Sequence, residues 1–318
     1  MLYQVIDMSE KSKTLTEVIR FFENPQNCVD AMVAMRWPDG NPVCPHCDGT
    51  RQHWLAKQMR WKCYGCRKQF SVKVGTVMED SPIALDKWLV TLWMLVNCKN
   101  GVSSYEIMRA VGVTQKSAWF MLQRLRLALQ DEKGGKLGGT VEVDETFIGG
   151  KARNMHSSKR RKAMVRKNKS KTIVLGFLER GGEVRTEIVE NRERPTLQGH
   201  IKKQIEAGSE IMTDELHSYW GLESDYAHNV VNHAYEYAKG YIHTNGMENF
   251  WSLLKRGLSG TYVSVAPFHL FRYLDEQAYR YNNRKDTNDE GRFLKALSQI
   301  AGKRLTYAGL TGQVAGTF

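Results

Sequence analysis

Apolar residues recur at every third or fourth position in the first part of the chain, which predicts helices. Residues 13–36 follow this spacing. Pro25 divides them into two short helices, because proline lacks the amide hydrogen that an inner helical turn requires. The same spacing returns over residues 84–130, where Gly101 and Gly112 interrupt it and so indicate at least three helices. The first part of the chain is therefore predicted to be mainly helical around a cysteine-containing segment.

Beyond residue 139 the pattern changes to short runs rich in valine, isoleucine and threonine, which predict β-strands. These runs are residues 140–148, 172–178, 183–190 and 210–213. Gly181-Gly182 predicts a hairpin turn between the second and third runs. Helical spacing returns over residues 196–207 and 245–258. Strands followed by alternating helices predict a mixed α/β core.

Charge and composition narrow the class of protein. The 318 residues include 46 Lys and Arg against 34 Asp and Glu, a formal net charge of +12 that predicts an anionic partner, nucleic acid before a membrane surface. At 42% apolar residues the chain is too apolar to be disordered. We find neither an apolar run near the roughly 20 residues of a membrane span nor a secretory signal. We therefore expect a cytoplasmic, nucleoid-associated protein without a membrane partner.

Four of the six cysteines form two close pairs, which predicts a metal site. Cys44 and Cys47 are followed, after fifteen residues, by Cys63 and Cys66, the spacing of a four-cysteine zinc ribbon. Four thiolates complete a tetrahedron and leave no open position, so this Zn²⁺ is predicted to be structural rather than catalytic. Basic and aromatic residues alternate around the site. They either contact DNA or form a small aromatic core with a solvated basic surface.

The helical segment after the ribbon resembles a helix-turn-helix. Gly112 lies in the turn and Thr114 is a plausible N-cap of the second helix. Gln115, Lys116 and Ser117 are then the residues that a recognition helix presents to the major groove. The alternative is an ordinary helical hairpin whose apolar faces pack together.

A basic insert interrupts the predicted core between its first two strands. Residues 151–171 contain ten Lys or Arg and no acid, with the densest run at Lys159, Arg160, Arg161 and Lys162. Such a run is a solvated loop, and beside an active site it is also expected to bind the DNA backbone without reading base sequence.

Three carboxylates stand at positions where a folded core would bring them together. Asp144 is a charge within an apolar strand, Asp214 directly follows a strand, and Glu248 begins a basic helix. Lys255 lies two turns beyond Glu248 on the same helical face. Taken singly, Asp144 could be an exposed strand residue, Asp214 could cap a turn, and Asn245 with Glu248 could form only a capping box.

Convergence of these acids at one sheet edge would create repulsion that divalent cations relieve. Hard oxygen ligands select Mg²⁺ or Mn²⁺, and two such ions can activate an attacking oxygen and stabilise a leaving oxygen at phosphorus. Lys255 is then placed to hold a DNA phosphate.

On these residues the chain resembles a DDE-type insertion-sequence transposase of the ISXO-like branch, which carries an N-terminal zinc ribbon. The resemblance rests on the cysteine pairs, on residues 141–150, 213–214 and 243–256, and on the family-like run 272–284. It implies a ribonuclease-H-like core in which Asp144, Asp214 and Glu248 are catalytic and Lys255 accompanies them. Because the third position of this family is its least settled, Asn245 is a second candidate, as a ligand or an orienting neighbour.

The predicted organisation has five parts along the chain. They are a helical segment 1–40, a zinc ribbon 41–74, a helix-turn-helix-like segment 75–135, a ribonuclease-H-like catalytic domain 136–285 and a tail 286–318. We expect a transposase that binds double-stranded DNA at the element ends and at the target as a homo-oligomer, with Arg256 of the basic helix among its DNA contacts. The alternatives are a metal-dependent nuclease without strand transfer, and a zinc-ribbon DNA-binding regulator with an inactive core.

Overall fold

The protein is described by a computed structural model that covers residues 14–130, 134–150, 157, 171–231, 241–285 and 287–312. The chain forms two compact units. The first unit contains Met1–Gln130 together with Asn283–Phe318, and the second unit contains Asp131–Asn282. The second unit is therefore inserted between two sequence segments of the first.

Helices and strands are numbered along the chain. The helices are α1 Leu15–Phe22, α2 Pro25–Arg36, α3 Leu85–Asn97, α4 Ser104–Val111, α5 Gln115–Ala128, α6 Arg194–Gln204, α7 Asn245–Gly260, α8 Leu270–Asn282, α9 Asp289–Ser298 and α10 Tyr307–Leu310. The strands are β1 Gln52–Leu55, β2 Arg60–Cys63, β3 Gln69–Phe70, β4 Thr140–Ile148, β5 Thr172–Glu179, β6 Val184–Val189, β7 Glu210–Thr213 and β8 Ala227–Val230.

Helix α3 lies at the centre of the first unit. It is buried on nearly every side, which is the expected environment of a helix that is apolar all round. The closing segment of the chain contributes to this core, because Phe293 of α9 packs against Trp93 at 5.4 Å and against Phe22 at 5.9 Å between ring centroids. Helix α4 begins at a capping box formed by Ser103 and Glu106.

The zinc ribbon is a three-stranded antiparallel sheet in the order β1-β2-β3. Trp61 on its central strand stacks on Phe70 at 5.6 Å and lies 4.4 Å from Trp54. These aromatic residues form the small core that was one of the two sequence-based interpretations. The basic residues around it are mostly exposed, namely Arg51, Lys57, Arg60, Lys62, Arg67 and Lys68.

The second unit is built on a five-stranded mixed sheet in the order β6-β5-β4-β7-β8. Strand β4 pairs antiparallel with β5 and parallel with β7, while β7 pairs parallel with β8. The hairpin predicted at Gly181-Gly182 joins β5 to β6. The predicted mixed α/β, ribonuclease-H-like core is confirmed.

Each face of this sheet carries its own apolar core. Val141 and Val143 of β4 point towards the face that packs with Leu197 and Ile201 of α6. The opposite face packs against α7 and α8 through a second cluster that includes Trp251. Successive strand residues alternate between faces, so Glu142 and Asp144 of β4 point towards α7.

Several elements were not predicted from sequence. Strand β8 has the sequence Ala-His-Asn-Val, which lacks the alternation of apolar and polar residues typical of a strand. Its parallel pairing with β7, rather than local propensity, stabilises it. The segment predicted as a tail contains α9 and α10. Within the described ranges, none of the helices has the length and apolar character needed to cross a membrane.

Candidate functional site

Asp144 and Asp214 lie side by side at the junction of β4 and β7. The parallel register pairs Glu142 with Met212, so two residues further along Asp214 follows β7 next to Asp144. Carboxylate oxygens of Asp144, Glu145 and Asp214 all lie within 4.8 Å of one another. The structure thus brings together two of the predicted acids and adds Glu145, whose position next to Asp144 was the available sequence signal.

Burial and like charge make this cluster electrostatically strained. Burial, and after it the negative charges of Glu145 and Asp214, raise the pKa of Asp144 to about 7. Two weaker effects lower this pKa: the hydrogen bond from Trp251 and the one from the amide of Glu145. Three carboxylates that repel one another when ionised are suitable oxygen ligands for a hard divalent cation, whose positive charge would offset the repulsion.

Glu145 also connects β4 to the loop that follows Asp214. Its Oε2 accepts a hydrogen bond from the Tyr219 hydroxyl at 2.6 Å, and its Oε1 lies 3.2 Å from Nη1 of Arg192. Tyr219 is fully buried, and burial first, then the Glu145 charge, raises the pKa of its hydroxyl well above its ordinary value. Asp214 stabilises the same loop, because its Oδ1 accepts the Leu216 amide at 3.1 Å. Asp214 therefore also has the turn-capping role considered as its alternative.

Trp251 of α7 covers Asp144 from one face of the sheet. Its indole Nε1 donates a hydrogen bond to Asp144 Oδ2 at 3.0 Å. Gly176 lies opposite Asp144 on β5, and a Cβ at Gly176 would approach Cζ2 of Trp251 to 2.5 Å and Cε of Met247 to 2.2 Å. The absence of a side chain at Gly176 therefore allows the indole to reach the carboxylate.

The remaining predicted catalytic residues and the predicted DNA contact Arg256 are on α7. Asn245, Glu248, Lys255 and Arg256 are all exposed, and Glu248 is outside the carboxylate cluster. Thr244 is the N-cap and no side chain caps α7 from that position, so the capping-box interpretation of Asn245 and Glu248 is wrong. Asn245 is instead the first helical residue.

The four predicted zinc ligands converge in the ribbon of the first unit. Their sulfur atoms all lie within 4.8 Å of one another, with Cys44 and Cys66 at 3.7 Å and Cys47 and Cys63 at 3.6 Å. A regular tetrahedron with Zn–S bonds of about 2.3 Å has sulfur atoms about 3.8 Å apart, so the cluster fits Zn²⁺. The residue after each knuckle adopts a left-handed conformation, Asp48 with φ 56° and Arg67 with φ 63°.

The predicted helix-turn-helix is formed by α4 and α5. Gly112 is left-handed at the end of α4, and the Thr114 hydroxyl caps α5 by accepting the Ser117 amide, as predicted. Gln115 donates to the Ser104 hydroxyl at 2.8 Å, while Lys116 is exposed.

The second half of α5 is buried, so the helical-packing alternative also describes part of this segment. Lys116 Nζ lies 5.2 Å from the ring centroid of Tyr307 in α10. Lys159, Arg160, Arg161 and Lys162 lie outside the described residues.

Comparison with known proteins places this site in a family. The model of the ISXO2-like transposase domain matches residues 136–282, and that of the transposase zinc-ribbon domain matches residues 23–69. A Halobacterium salinarum relative, described as an uncharacterized protein in transposable element ISH50, is 26% identical over 259 residues, covering 76% of this chain and 85% of the relative.

Among solved structures, one similar chain comes from the simian T-cell lymphotropic virus intasome in complex with PP2A regulatory subunit B56 gamma. It has 13% identity and a TM-score of 0.28 over 54% of this chain and 63% of that chain, a likeness too low to support an argument.

A mixed sheet with acids on adjacent strands, preceded by a four-cysteine ribbon, is the arrangement expected of a DDE-type transposase. The chain matches both the ISXO2-like transposase domain and the transposase zinc ribbon, so the predicted resemblance is confirmed.

Proposed function

We propose that the protein binds the ends of an insertion sequence and catalyses metal-dependent cleavage and strand transfer of DNA. The observation that carries the proposal is the carboxylate cluster of Asp144, Glu145 and Asp214 at the edge of a transposase-type sheet. A protein that needed this sheet only for packing would gain nothing from burying acids that repel one another.

Asp144 and Asp214 are assigned to hold the divalent cations, Mg²⁺ or Mn²⁺. Cations bound there would supply Lewis-acid activation of the attacking oxygen and stabilise the leaving oxygen. Lys255, on the exposed side of α7, is assigned to a DNA phosphate. No covalent enzyme intermediate is required, so no side chain is assigned as nucleophile.

The reaction consists of two in-line displacements at phosphorus. In the first, the oxygen of water attacks a phosphodiester at the element end, the bond to the 3′ oxygen breaks, and that oxygen leaves as a 3′-hydroxyl after gaining a proton. In the second, this 3′-hydroxyl attacks a target phosphodiester. A new bond to phosphorus forms and a target 3′-hydroxyl is released.

We assign Glu248 as the third acidic residue. Trp251 lies one helical turn further along α7 and donates a hydrogen bond to Asp144. This hydrogen bond holds the part of the helix that carries Glu248 next to the cluster. Glu145 links β4 to the loop after Asp214 through Tyr219, and it also contacts Arg192, so its main role is assigned to holding that loop. Asn245 remains the second candidate and would act as a neutral oxygen ligand or an orienting neighbour.

DNA binding is assigned mainly to the first unit. Zn²⁺ would hold the ribbon, while Gln115, Lys116 and Ser117 at the start of α5 would enter the major groove. Arg256 and the basic run from Lys159 to Lys162 would contact backbone phosphates without base specificity. We expect the protein to act as a homo-oligomer on element ends and target DNA.

The first test replaces Asp144 or Asp214 with asparagine in the full-length protein. Loss of the carboxylate removes a cation ligand but leaves the DNA-binding segments intact, so cleavage of supercoiled donor DNA should be abolished while end binding persists. Asp225→Asn, at an exposed acid of the same unit, serves as the control. Wild-type cleavage rates in the Asp144 and Asp214 variants would refute the assignment.

A second assay separates the proposal from its alternatives. A pre-cleaved element end is incubated with target DNA and Mg²⁺, and joined products are measured. Joining is expected from a transposase. Cleavage without joining would identify a nuclease, and binding without Mg²⁺-dependent nicking would identify a DNA-binding regulator.

A further inference from the structure

Strand β4 presents two carboxylates to α7, and only one of them belongs to the carboxylate cluster. Glu142 and Asp144 are two residues apart and therefore share one face of the strand. Glu142 Oε2 accepts the backbone amide of Met247 at 2.9 Å, and Asp144 Oδ2 accepts the indole of Trp251 at 3.0 Å. Glu142 is 1% exposed. The two contacts hold the helix at points one turn apart.

The spacing of the two contacts matches on both elements. Two residues of a strand span about 6.6 Å, and four residues of a helix rise about 6 Å. Both hydrogen bonds therefore form with the helix lying along the strand. The apolar packing of α7 does not by itself specify its register, whereas two hydrogen bonds one turn apart define both its position along the strand and its direction.

Glu142 compensates for a missing cap at the start of α7. Met247 is the third residue of the helix, so its amide has no intrahelical acceptor, and the side chain of the N-cap Thr244 makes no capping hydrogen bond. A carboxylate at this end also interacts favourably with the helix dipole. Gly246 makes the approach possible, because a Cβ there would lie 2.7 Å from Glu142 Oε2.

Arg180 compensates for the burial of the Glu142 charge. Its Nε donates to Glu142 Oε1 at 2.9 Å, while its Nη1 and Nη2 donate to the backbone carbonyls of Tyr241 and His243, both at 2.7 Å. Arg180 thereby joins β4 to the segment that enters α7. A buried carboxylate with a charged partner and an amide donor is satisfied as a structural group.

His243 takes part in this network as an acceptor. Its Nδ1 lies 2.9 Å from Arg180 Nη2 and 3.4 Å from Glu142 Oε1. An arginine can only donate, so Nδ1 accepts and the ring proton is assigned to Nε2.

We propose that Glu142, with Arg180, is a positioning residue that sets the register in which α7 presents Glu248 and Lys255 to the catalytic cluster. The consequence for catalysis rests on the proposed function, whereas the mechanical anchoring does not. Glu142 is outside the carboxylate cluster, and its two oxygens contact the amide of Met247 and the guanidinium of Arg180. It acts through the helix and does not contact the substrate.

Hydrogen exchange of the full-length protein tests the anchoring directly. Glu142→Ala removes the acceptor, so exchange over residues 244–254 should increase at least about tenfold while exchange in the rest of the sheet stays unchanged. Glu142→Gln keeps an oxygen acceptor for Met247 and should restore most of the protection. Unchanged exchange across α7 in Glu142→Ala would overturn the proposal, and Arg180→Met provides a second test if Glu142→Ala does not fold.

Glu187→Gln is the matched control. Glu187 is also a strand carboxylate that contacts a helix, but its partners His200, Lys203 and Gln204 are on α6, across the sheet from α7. This variant should leave exchange in α7 unchanged. Increased α7 exchange in this control would mean that any lost strand carboxylate loosens the unit, and the specific role of Glu142 would be rejected.

Cleavage kinetics test the catalytic consequence. For Glu142→Ala, kcat should fall at least about tenfold while KM for element-end DNA changes less, because the reacting groups are misplaced whereas the main DNA-binding segments, in the first unit, are not. Glu142→Gln should recover part of this loss. Increased exchange with wild-type kcat would reject the catalytic role. Absence of cleavage by the wild-type protein would instead refute the proposed function, and the exchange result would still stand.

Discussion

Asp144 is subject to two conflicting requirements: its carboxyl group is buried, and cation binding would require that group to be ionised. A charge within an apolar strand made it a candidate from sequence, and the structure places it beneath Trp251 and next to two other acids. Burial, together with the charges of Glu145 and Asp214, raises its pKa to about 7, so this carboxyl is harder to ionise in the folded protein than in the unfolded chain. Binding a cation would require the ionised carboxylate. Ionising this buried group lowers the free energy of unfolding, so the site reduces the stability of the protein.

The first prediction concerns the pH dependence of this cost. Because the pKa of Asp144 is raised in the folded state, stability should fall as pH rises from about 4 to about 7 in Mg²⁺-free buffer. Asp144→Asn removes the titration and should be more stable than wild type at pH 8, by about 1–3 kcal/mol. Thermal unfolding at pH 5 and pH 8, with zinc retained, measures the difference.

Asp225 provides the control for this prediction. Its pKa is lowered by a hydrogen bond and by charge attraction from Lys202, and the carboxylate is exposed. Asp225→Asn should therefore give no gain in stability at pH 8. An equal gain in both variants would show that general charge reduction is responsible, rather than the burial of Asp144.

The second prediction distinguishes the two glutamates near the cluster. Glu248→Gln should lower the cleavage rate at saturating DNA by about 100-fold or more with little change in melting temperature, because it removes an exposed proposed ligand. Glu145→Gln should reduce stability through its contacts with Arg192 and Tyr219 and should lower cleavage less. A larger catalytic loss in Glu145→Gln would assign the third position to Glu145.

Some features of this site could not be predicted from local sequence patterns, because they depend on residues that are distant in the sequence. The acid that follows Asp144 in the chain was visible, but the role of Glu145 depends on Tyr219, which belongs to another part of the fold. Glu142 was equally visible as a second charge in the same strand. Its function depends on Arg180 and on the approach of α7, which no periodicity predicts.

At the scale of elements, the contact between β5 and α7 determines how closely the helix approaches the sheet. Gly176 allows the Trp251 indole to lie across the sheet, and any larger residue would meet this rigid ring. Strong local patterns predicted the strands themselves well: β4 and β7 have the bounds expected from their β-branched residues. The close approach, in contrast, depends on tertiary packing.

The third prediction tests that approach. Gly176→Ala places a Cβ 2.5 Å from the indole of Trp251, so overpacking should lower the free energy of unfolding by about 1–3 kcal/mol and displace the Trp251–Asp144 hydrogen bond. Thermal unfolding measures the loss, and a change in tryptophan fluorescence would report the displaced indole.

Gly199 offers a matched glycine for comparison. It lies within α6, and a Cβ there would meet no atom within 4 Å. Gly199→Ala should be neutral or stabilising by up to about 1 kcal/mol, because alanine favours the helix and restricts the unfolded chain. A loss of stability at Gly199 similar to that at Gly176 would contradict the packing explanation.

At the scale of the whole molecule, the first unit is completed by residues from both ends of the described chain. The segment after residue 285 was predicted only as a tail, because the partners of Phe293 are Phe22 and Trp93, which are distant in sequence. Local patterns identify neither these partners nor the core that they share.

The fourth prediction follows from this shared core. Phe293→Ala should destabilise the first unit by about 3–5 kcal/mol, because a buried aromatic side chain is replaced by a cavity. Limited proteolysis and zinc retention should show the loss in the first unit, while the second unit keeps its protease resistance. Ser298→Ala, at an exposed position of the same helix, should change stability by less than about 0.5 kcal/mol. Equal effects of the two variants would contradict the assigned packing.

The split sequence of the first unit also has a consequence for biosynthesis. The zinc-binding segment is translated early. Phe22 and Trp93 can pack against Phe293 only after the entire inserted unit has been translated. Nascent chains generally fold domain by domain as they emerge, so the inserted unit can mature while its host is still incomplete. An interrupted translation product would carry the carboxylate cluster without a finished host unit, and only chains extended through α9 would acquire both.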